Sequence, residues 1–186
     1  MLNELVFVTS NENKVKEAQE ILEFPITLYS AELDEIQNLD VEEVVRKKTE
    51  TAFEKVKKPL IVDDAGLYLN VWKGFPGAYV KYVKEYAGLD RLQKWLALET
   101  DNTAIVVAAI GYHDGKQVRT FRGEVKGRFV APRGENGWGF DPFFLPDGEE
   151  KTWGEVPSGE KNKNSHRSRA LEKLKTFLIE NNYIKE

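Results

Sequence analysis

Two consecutive acidic residues follow a short apolar run near position 60. Asp63 and Asp64 come directly after Leu60-Ile61-Val62, which has the pattern of a buried strand. Carboxylates at a strand end can ligate Mg²⁺ and can orient or deprotonate an attacking water, and Glu35 is a third candidate. Because side chains alternate along a strand, we expect only one of the two aspartates to face a cleft. The alternative is an acidic turn with a solvated glutamate, since acidic turns are common.

The segment from Thr9 to Lys14 lies where a predicted strand passes into a predicted helix. Free backbone N–H groups and the positive end of the helix dipole attract anions there, and Lys14 adds a full charge. We therefore predict that Thr9, Asn11 and Lys14 bind an anionic substrate. An asparagine cap with a surface lysine explains the same residues equally well.

Lys48 falls on the apolar stripe of a predicted helix that also carries Val41 and Val44. A lysine in that position must either extend its ammonium to solvent or reach a buried anion. Extension to solvent is the commoner outcome, but a phosphate group near a strand end would be a better partner.

An aromatic and glycine-rich segment, Gly137-Trp138-Gly139-Phe140-Asp141-Pro142, precedes Lys161 and Ser165-His166-Arg167. A ring between glycines can lie flat against a base, because glycine leaves room for close approach. Ser165 is a candidate cap for the last helix, which would place His166 and Arg167 in its first turn as donors to a ligand. Taken singly, Trp138 is more often a core residue and His166 a structural one. Together, a stacking ring, a carboxylate acceptor and two donors favour a pocket for a base.

The elements that must position these residues alternate between strand and helix. Apolar periodicity predicts strands at 5–9, 26–29, 60–62, 103–112 and 117–125, and helices at 15–22, 41–57, 79–98 (broken near Gly88) and along the stripe Leu171, Leu174 and Leu178. Asp114-Gly115 predicts a hairpin turn. The irregular stretch 133–164 is long enough to indicate a functional segment. We predict one α/β domain over 1–186, elongated, with a mixed sheet and two lobes.

Composition excludes several classes of site. The 186 residues include no cysteine and only two histidines, which excludes a disulfide framework, a thiolate zinc site and a cysteine nucleophile. Any metal is therefore expected to be a hard, oxygen-liganded cation. The net charge of −4 lacks the basic field of a protein that binds nucleic-acid backbones. Without a leader-like start or a long apolar run, we expect a cytoplasmic protein with no membrane partner.

Several of these motifs together carry a resemblance to a known family. The sequence resembles the inosine triphosphate pyrophosphatases, also called the non-canonical purine NTP pyrophosphatases or the HAM1-like family. The matching segments occur in the family's order and span nearly the whole chain: Phe7-Val8-Thr9-Ser10-Asn11 with Lys14 and Glu17, Val62-Asp63-Asp64-Ala65-Gly66-Leu67, Gly74-Phe75-Pro76-Gly77-Ala78-Tyr79, Gly137-Trp138-Gly139-Phe140-Asp141-Pro142, and Glu160-Lys161-Asn162 with Ser165-His166-Arg167.

The resemblance implies an elongated α/β fold with a central active-site cleft between two lobes, a homodimer and a requirement for Mg²⁺. It implies that Asp64 is the catalytic carboxylate and, with Glu35, a metal ligand, and that Lys14 and Lys48 contact the triphosphate. Ala65 stands where many relatives carry Ser or Thr, which removes a hydroxyl beside the aspartate. The implied base and nucleotide pocket consists of Trp138, Gly139, Phe140, Asp141, Lys161, His166 and Arg167.

The implied reaction is hydrolysis of ITP, dITP and XTP to the monophosphate and pyrophosphate, which clears them from the nucleotide pool. Asp64 would position a water for in-line attack at the α-phosphorus while Mg²⁺ and the lysines neutralise the triphosphate. Donors from His166 and Arg167 suit a 6-oxo group, and Asp141 suits the N1–H of hypoxanthine or xanthine. Guanine presents the same two groups, so these residues do not account for discrimination against GTP.

Two other functions are compatible with parts of the sequence. The first is a different nucleotide hydrolase that releases orthophosphate, although the absence of Gly-x-x-x-x-Gly-Lys-Ser/Thr argues against a P-loop NTPase. The second is a nucleic-acid-binding module built on basic residues near the last helix. The net acidity and the aspartates of the buried strand argue against this module, so we expect no nucleic-acid partner. Its basic residues would be Lys161, Lys163, His166, Arg167 and Arg169.

Overall fold

The strands and helices occur in the predicted order, with several short elements that the sequence pattern did not indicate. A computed structural model describes residues 1–185. The strands are β1 (Leu5–Val8), β2 (Ile26–Tyr29), β3 (Leu60–Leu69), β4 (Pro76–Gly77), β5 (Thr103–His113), β6 (Val118–Phe129) and β7 (Phe144–Pro146). The α-helices are α1 (Glu12–Leu22), α2 (Val41–Val56), α3 (Val80–Tyr82), α4 (Leu89–Leu96), α5 (Ser158–Lys161) and α6 (His166–Glu180). A π-helix covers Val83–Ala87, and 3₁₀ turns cover Asp141–Phe143 and Trp153–Glu155.

Polar caps set the start of the two helices nearest the candidate site. The side chain of Asn11 caps α1 and accepts from the N–H of Asn13 at 3.0 Å. Ser165 caps α6 as predicted, and its hydroxyl accepts from the N–H of Ser168 at 3.1 Å. Such caps satisfy backbone donors that have no partner within the helix. Within residues 1–185, no helix is both long and apolar enough to cross a membrane.

The sheet is mixed, with the strand order β2-β1-β3-β5-β6-β7 and with β4 beside β3. β1 runs parallel to β2 and β3, whereas β5 is antiparallel to β3 and β6. Helix α2 packs on one face of β5 against Val107 and Ala109, and α6 packs on the other face against Ala108 and Ile110. The predicted α/β fold with a mixed sheet is confirmed.

The central strand β3 has a gap in its pairing along one edge. β1 pairs with it at Leu60 and Ile61, and β4 pairs with it at Leu67 and Tyr68. Between these pairings, and within the described residues 1–185, positions 62–66 have no strand partner on that edge. Their other edge pairs with β5 throughout. The sheet is therefore open on one side of β3 next to Asp63 and Asp64.

The prediction that Asp63 and Asp64 end a strand is wrong. β3 continues to Leu69, and the two aspartates pair with Ile110 and Ala109 of β5. The aliphatic strand β5 is long enough to pair with every residue of β3, and this pairing carries the extended backbone past the acidic pair. The missing neighbour on the other edge, rather than a strand end, gives the acidic pair access to a cleft.

Two apolar cores lie toward opposite ends of β3 and β5. One contains Ile61 and Ile110 with α1 and α6, and the other contains Leu67 and Val106 with α4 and β7. The acidic pair lies on β3 between Ile61 and Leu67, so it sits where the chain passes from one core to the other.

Candidate active site

A cavity of about 740 Å³ opens at the gap beside β3. A volume of this size is typical of pockets that bind small molecules. Its wall is built from the β1–α1 junction, the segment before α2, α2, β3, the helical segment after β4, the segment before β7 and the start of α6. It includes most of the predicted site residues: Thr9, Asn11, Lys14, Glu35, Lys48, Asp64, Trp138, Gly139, Phe140 and Arg167.

Three other predicted contacts lie behind this wall. Asp141, Lys161 and His166 are 2%, 5% and 2% exposed, and they are not part of the cavity lining. Their direct contact with a base stays a prediction. In the structure they support the wall residues, as the contacts below show.

Lys48 bridges the two carboxylates that we predicted as metal ligands. Its ammonium donates to Glu35 Oε1 at 2.5 Å and lies 3.4 Å from Asp64 Oδ2. Lys81 Nζ donates to the other oxygen of Glu35 at 3.2 Å. Lys48 therefore reaches partly buried anions instead of extending to solvent, and Glu35 is not a solvated surface residue.

The charges of this cluster stabilise one another. Burial disfavours the ionised form of Glu35, but the hydrogen bond and charge of Lys48, with those of Lys81, outweigh it and lower the pKa of the carboxyl. Burial also disfavours the charged form of Lys48, but Asp64 and Glu35 outweigh it and raise the pKa of the ammonium. Glu35 and Lys48 therefore carry full charges at neutral pH, which suits a site for a metal-bound polyphosphate.

Asp63 and Asp64 serve different faces of the sheet, as alternation predicts. The side chain of Asp64 is 23% exposed, whereas that of Asp63 has no exposure. Asp64 Oδ1 accepts from the N–H of Ala65 at 2.9 Å, and its Oδ2 faces Lys48. Both residues border the cavity, but only the side chain of Asp64 is accessible from it, whereas that of Asp63 is enclosed by the protein.

A buried ion-pair network encloses Asp63. Asp63 Oδ2 accepts from Arg167 Nε at 2.6 Å, Arg167 Nη1 donates to Glu17 Oε2 at 2.8 Å, and Lys14 Nζ lies 2.5 Å from Asp63 Oδ1. Burial raises the pKa of the Asp63 carboxyl, but the charges of Arg167 and Lys14 outweigh it and hold the pKa well below its usual range. Because unpaired buried charges are costly, these contacts fix β3 against α1 and α6. Lys14 is accordingly not a surface lysine, although Asn11 is indeed a cap.

Asp141 organises the segment that carries Trp138. Its Oδ2 accepts from the Lys161 ammonium at 2.7 Å and from the N–H of Trp138 at 2.8 Å. Gly137 has a φ of +75°, and a Cβ there would lie 2.3 Å from the same oxygen, so the turn requires glycine. The Arg167 guanidinium lies 4.7 Å from the Trp138 ring centroid. The indole is therefore held against a buried cation at the cavity wall.

Lys81, Lys84 and Glu17 belong to the site or its support, but the sequence predictions gave them no role. Lys81 and Lys84 line the cavity from the helical segment after β4. Their spacing of three residues places them on one helical face, and this is the signal that could have indicated them. Glu17 is buried against Arg167, 150 residues along the chain. No local pattern predicts such a contact.

The sequence of the chain matches a known family along most of its length. A model of the Ham1 family matches residues 5–177. The chain belongs to the Ham1 family. The dITP/XTP pyrophosphatase of Saccharolobus solfataricus is 42% identical to it over 175 residues, covering 92% of this chain and 91% of the relative. The inosine triphosphate pyrophosphatase of Fusarium vanettenii is 40% identical over 178 residues, covering 94% of this chain and 95% of the relative.

Solved structures of the Ham1 family have the same fold. A HAM1 protein from Coxiella burnetii superposes with a TM-score of 0.85 at 25% sequence identity, covering 96% of this chain and 100% of that chain.

His166 should make the stability of this Ham1-family protein depend on pH. Burial, with added repulsion from Arg167 and Lys161, lowers the pKa of His166 well below its usual value. The folded protein therefore holds a neutral imidazole, whereas the unfolded chain takes up a proton near its ordinary pKa of about 6.5. Since the unfolded state binds more protons as the pH falls below that value, the free energy of unfolding must fall too.

We expect the free energy of unfolding, measured by urea titration, to fall between about pH 7 and pH 5, by up to about 1.4 kcal/mol per pH unit from this group. His166→Gln should remove that part of the slope. His113→Gln is the matched control, because burial lowers the pKa of His113 less strongly, and it should remove less. Equal slopes in the wild type and in His166→Gln would contradict the assignment.

Proposed function

We propose that this chain hydrolyses non-canonical purine nucleoside triphosphates, namely ITP, dITP and XTP, to the monophosphate and pyrophosphate. The observation that carries the proposal is the convergence, in one cavity of a Ham1-family chain, of the Asp64–Lys48–Glu35 cluster with Trp138 and Arg167. The charged cluster of Asp64, Lys48 and Glu35 suits a metal-bound triphosphate. The indole of Trp138 beside Arg167 suits a flat base. The two relatives described above, a dITP/XTP pyrophosphatase and an inosine triphosphate pyrophosphatase, support the same substrates.

Asp64 acts in this proposal on the attacking water. The water oxygen attacks the α-phosphorus, the bond from that phosphorus to the bridging oxygen of the β-phosphate breaks, and the water proton passes to the carboxylate. The position of Asp64 supports this role, because its carboxylate is accessible from the cavity and one oxygen is fixed by the Ala65 N–H. Lys14 and Lys48 neutralise, in this proposal, the negative charge that the leaving pyrophosphate develops, and their position in the cavity lining supports this role.

Glu35 and Asp64 are the proposed ligands of Mg²⁺. Mg²⁺ in phosphoryl-transfer sites takes one or two protein carboxylates and completes its shell with phosphate oxygens and waters. Glu35 and Asp64 share one lysine and line a cavity, so they fit this requirement for two carboxylates. Residues 1–185 contain no cluster of three or more acidic, histidine or cysteine side chains that could hold a metal ion without further ligands. When bound, the ion would neutralise phosphate charge and polarise the α-phosphorus.

Arg167 is the proposed donor to the 6-oxo group of the base. Its Nε and Nη1 are used by Asp63 and Glu17, but its Nη2 is buried without a hydrogen-bond partner among residues 1–185. An amino group at position 6, as in adenine, would leave this donor unpaired and lower the affinity for ATP. Trp138 and Phe140 supply the aromatic faces of the same pocket.

The resemblance also supports a homodimer that acts in the cytoplasm. Exposed apolar side chains on and around α4, namely Tyr86, Trp95 and Leu98, offer a surface for a second subunit. A cytoplasmic location suits an enzyme whose substrates are precursors of nucleic-acid synthesis.

Asp64→Asn tests the catalytic assignment. The change removes the proton acceptor and keeps the side-chain shape, so we expect kcat for ITP to fall at least about 100-fold while ITP binding changes little. The matched control is Asp90→Asn, which alters an exposed aspartate of α4 outside the cavity.

Product analysis accompanies both assays, with ITP, XTP, GTP and ATP as substrates. IMP with pyrophosphate supports the proposal, whereas IDP with orthophosphate favours the other class of nucleotide hydrolase.

Removal of divalent cations tests the metal assignment. We expect a chelator to abolish ITP hydrolysis and added Mg²⁺ to restore it, because the triphosphate charge is otherwise uncompensated. Glu35→Gln should raise the Mg²⁺ concentration for half-maximal rate by about tenfold or more, since it removes one ligand charge. Full activity in the presence of the chelator would exclude the proposed role of Glu35 and Asp64 as ligands.

A further inference from the structure

Trp153 lies behind the base end of the cavity and is rigidly held. It is 5% exposed and opens the 3₁₀ turn Trp153–Glu155. The preceding Thr152 donates its N–H to Glu155 Oε2 at 2.8 Å and its hydroxyl to the Arg133 carbonyl at 2.9 Å. The indole also packs against the ring of Phe144, with centroids 4.6 Å apart. These contacts leave the indole little freedom to move.

The imidazole of His166 is stacked on this indole. The two ring centroids are 5.2 Å apart and the planes differ by 14°, while the Phe140 ring approaches His166 at 5.7 Å with a 40° tilt. An imidazole is usually oriented by a hydrogen bond to one of its nitrogens. His166 Nδ1 is buried and has no such partner among residues 1–185. The near-parallel stacking on Trp153 therefore constrains the plane of this ring, together with the tilted contact of Phe140.

The ammonium of Lys161 lies between two indoles. Its Nζ is 5.6 Å from the Trp153 centroid and 5.5 Å from the Trp138 centroid, and it donates to Asp141 Oδ2 at 2.7 Å. A cation that is removed from water gains more from an aromatic face than an exposed one does. Among the aromatic rings of residues 1–185, only that of Trp153 is in ring contact with both His166 and Lys161.

We propose that Trp153 is a positioning residue for base selection, because one rigid indole fixes both the imidazole of His166 and the ammonium of Lys161 behind the cavity wall. The inference rests on the proposed function and deepens it. Trp153 does not line the cavity and so does not touch the substrate. Its effect reaches the base through Phe140, against His166, and through Trp138, against Lys161.

Trp153→Leu removes the aromatic face, and Trp153→Phe retains a smaller one. We expect Trp153→Leu to lower the ratio of kcat/KM for ITP to that for ATP by about tenfold, chiefly through KM for ITP. Trp153→Phe should keep the ratio within about threefold of the wild type. If Trp153→Phe keeps the ITP-to-ATP ratio and Trp153→Leu does not, the effect is due to the aromatic ring and not to any change at this position.

Phe129→Leu is the matched control. Phe129 belongs to the same apolar core, is 1% exposed, and stacks on Phe143, not on His166 or Lys161. It should lower the melting temperature without changing the ITP-to-ATP ratio. An unchanged ratio in folded Trp153→Leu, or an equal loss in Phe129→Leu, would overturn the proposal.

A spectroscopic readout is independent of catalysis. The chain has only two histidines, so the imidazole proton signals of His166 can be followed beside those of His113. Trp153→Phe, the variant that best preserves the core, should shift the His166 signals and leave those of His113 in place, because the stacked ring has changed. Unchanged His166 signals would refute the stacking. If the wild type does not hydrolyse ITP, the proposed function fails, while this spectrum still tests the contact.

Discussion

The pairing of the buried Arg167 guanidinium is the constraint on which the pocket depends. Its side chain is 1% exposed, and a charge at that depth is tolerated only when it is paired and hydrogen-bonded. The two carboxylates that satisfy it come from β3 and α1, through Asp63 and Glu17, while the guanidinium itself comes from α6. Three elements that are distant in sequence are therefore fixed to one another by a single side chain.

The same network reaches the segment that carries Trp138. Glu17 lies 4.0 Å from the Lys161 ammonium, which binds Asp141, and Asp141 fixes the backbone of Trp138. Alternating charges thus run from helix α1 to the aromatic wall of the cavity. The two adjacent aspartates have different roles in this arrangement. Asp63 holds this network on one face of β3, and Asp64 remains accessible in the cavity through the gap beside the strand.

The sequence predicts the main elements because they depend on local patterns. The stripe of α6, its Ser165 cap and the Asp114-Gly115 hairpin are all found where periodicity and turn chemistry indicate them. The alternation of side chains along β3 correctly predicts that only one of Asp63 and Asp64 has its side chain exposed to the cavity. The apolar position of Lys48 correctly indicates a lysine that requires a special partner.

What the sequence could not predict depends on long-range pairing. The acidic pair resembles a strand end, but β5 extends β3 beyond it, and β5 lies about 40 residues further along the chain. Glu17 offers no local signal for its contact with Arg167, and no local pattern indicates that Lys161 and His166 are buried behind the cavity wall. Contacts of this kind are set by the packing of α6 against α1 and the sheet.

A double-mutant cycle on Asp63→Asn and Arg167→Met, followed by urea unfolding, tests the central claim most directly. If the buried pair fixes β3 to α6, each single variant leaves a buried partner uncompensated and loses about 3 to 5 kcal/mol of unfolding free energy. The double variant should then lose at least about 2 kcal/mol less than the sum of the two single losses. Additive losses, equal to that sum within about 0.5 kcal/mol, would show that the two residues act independently and would contradict the account.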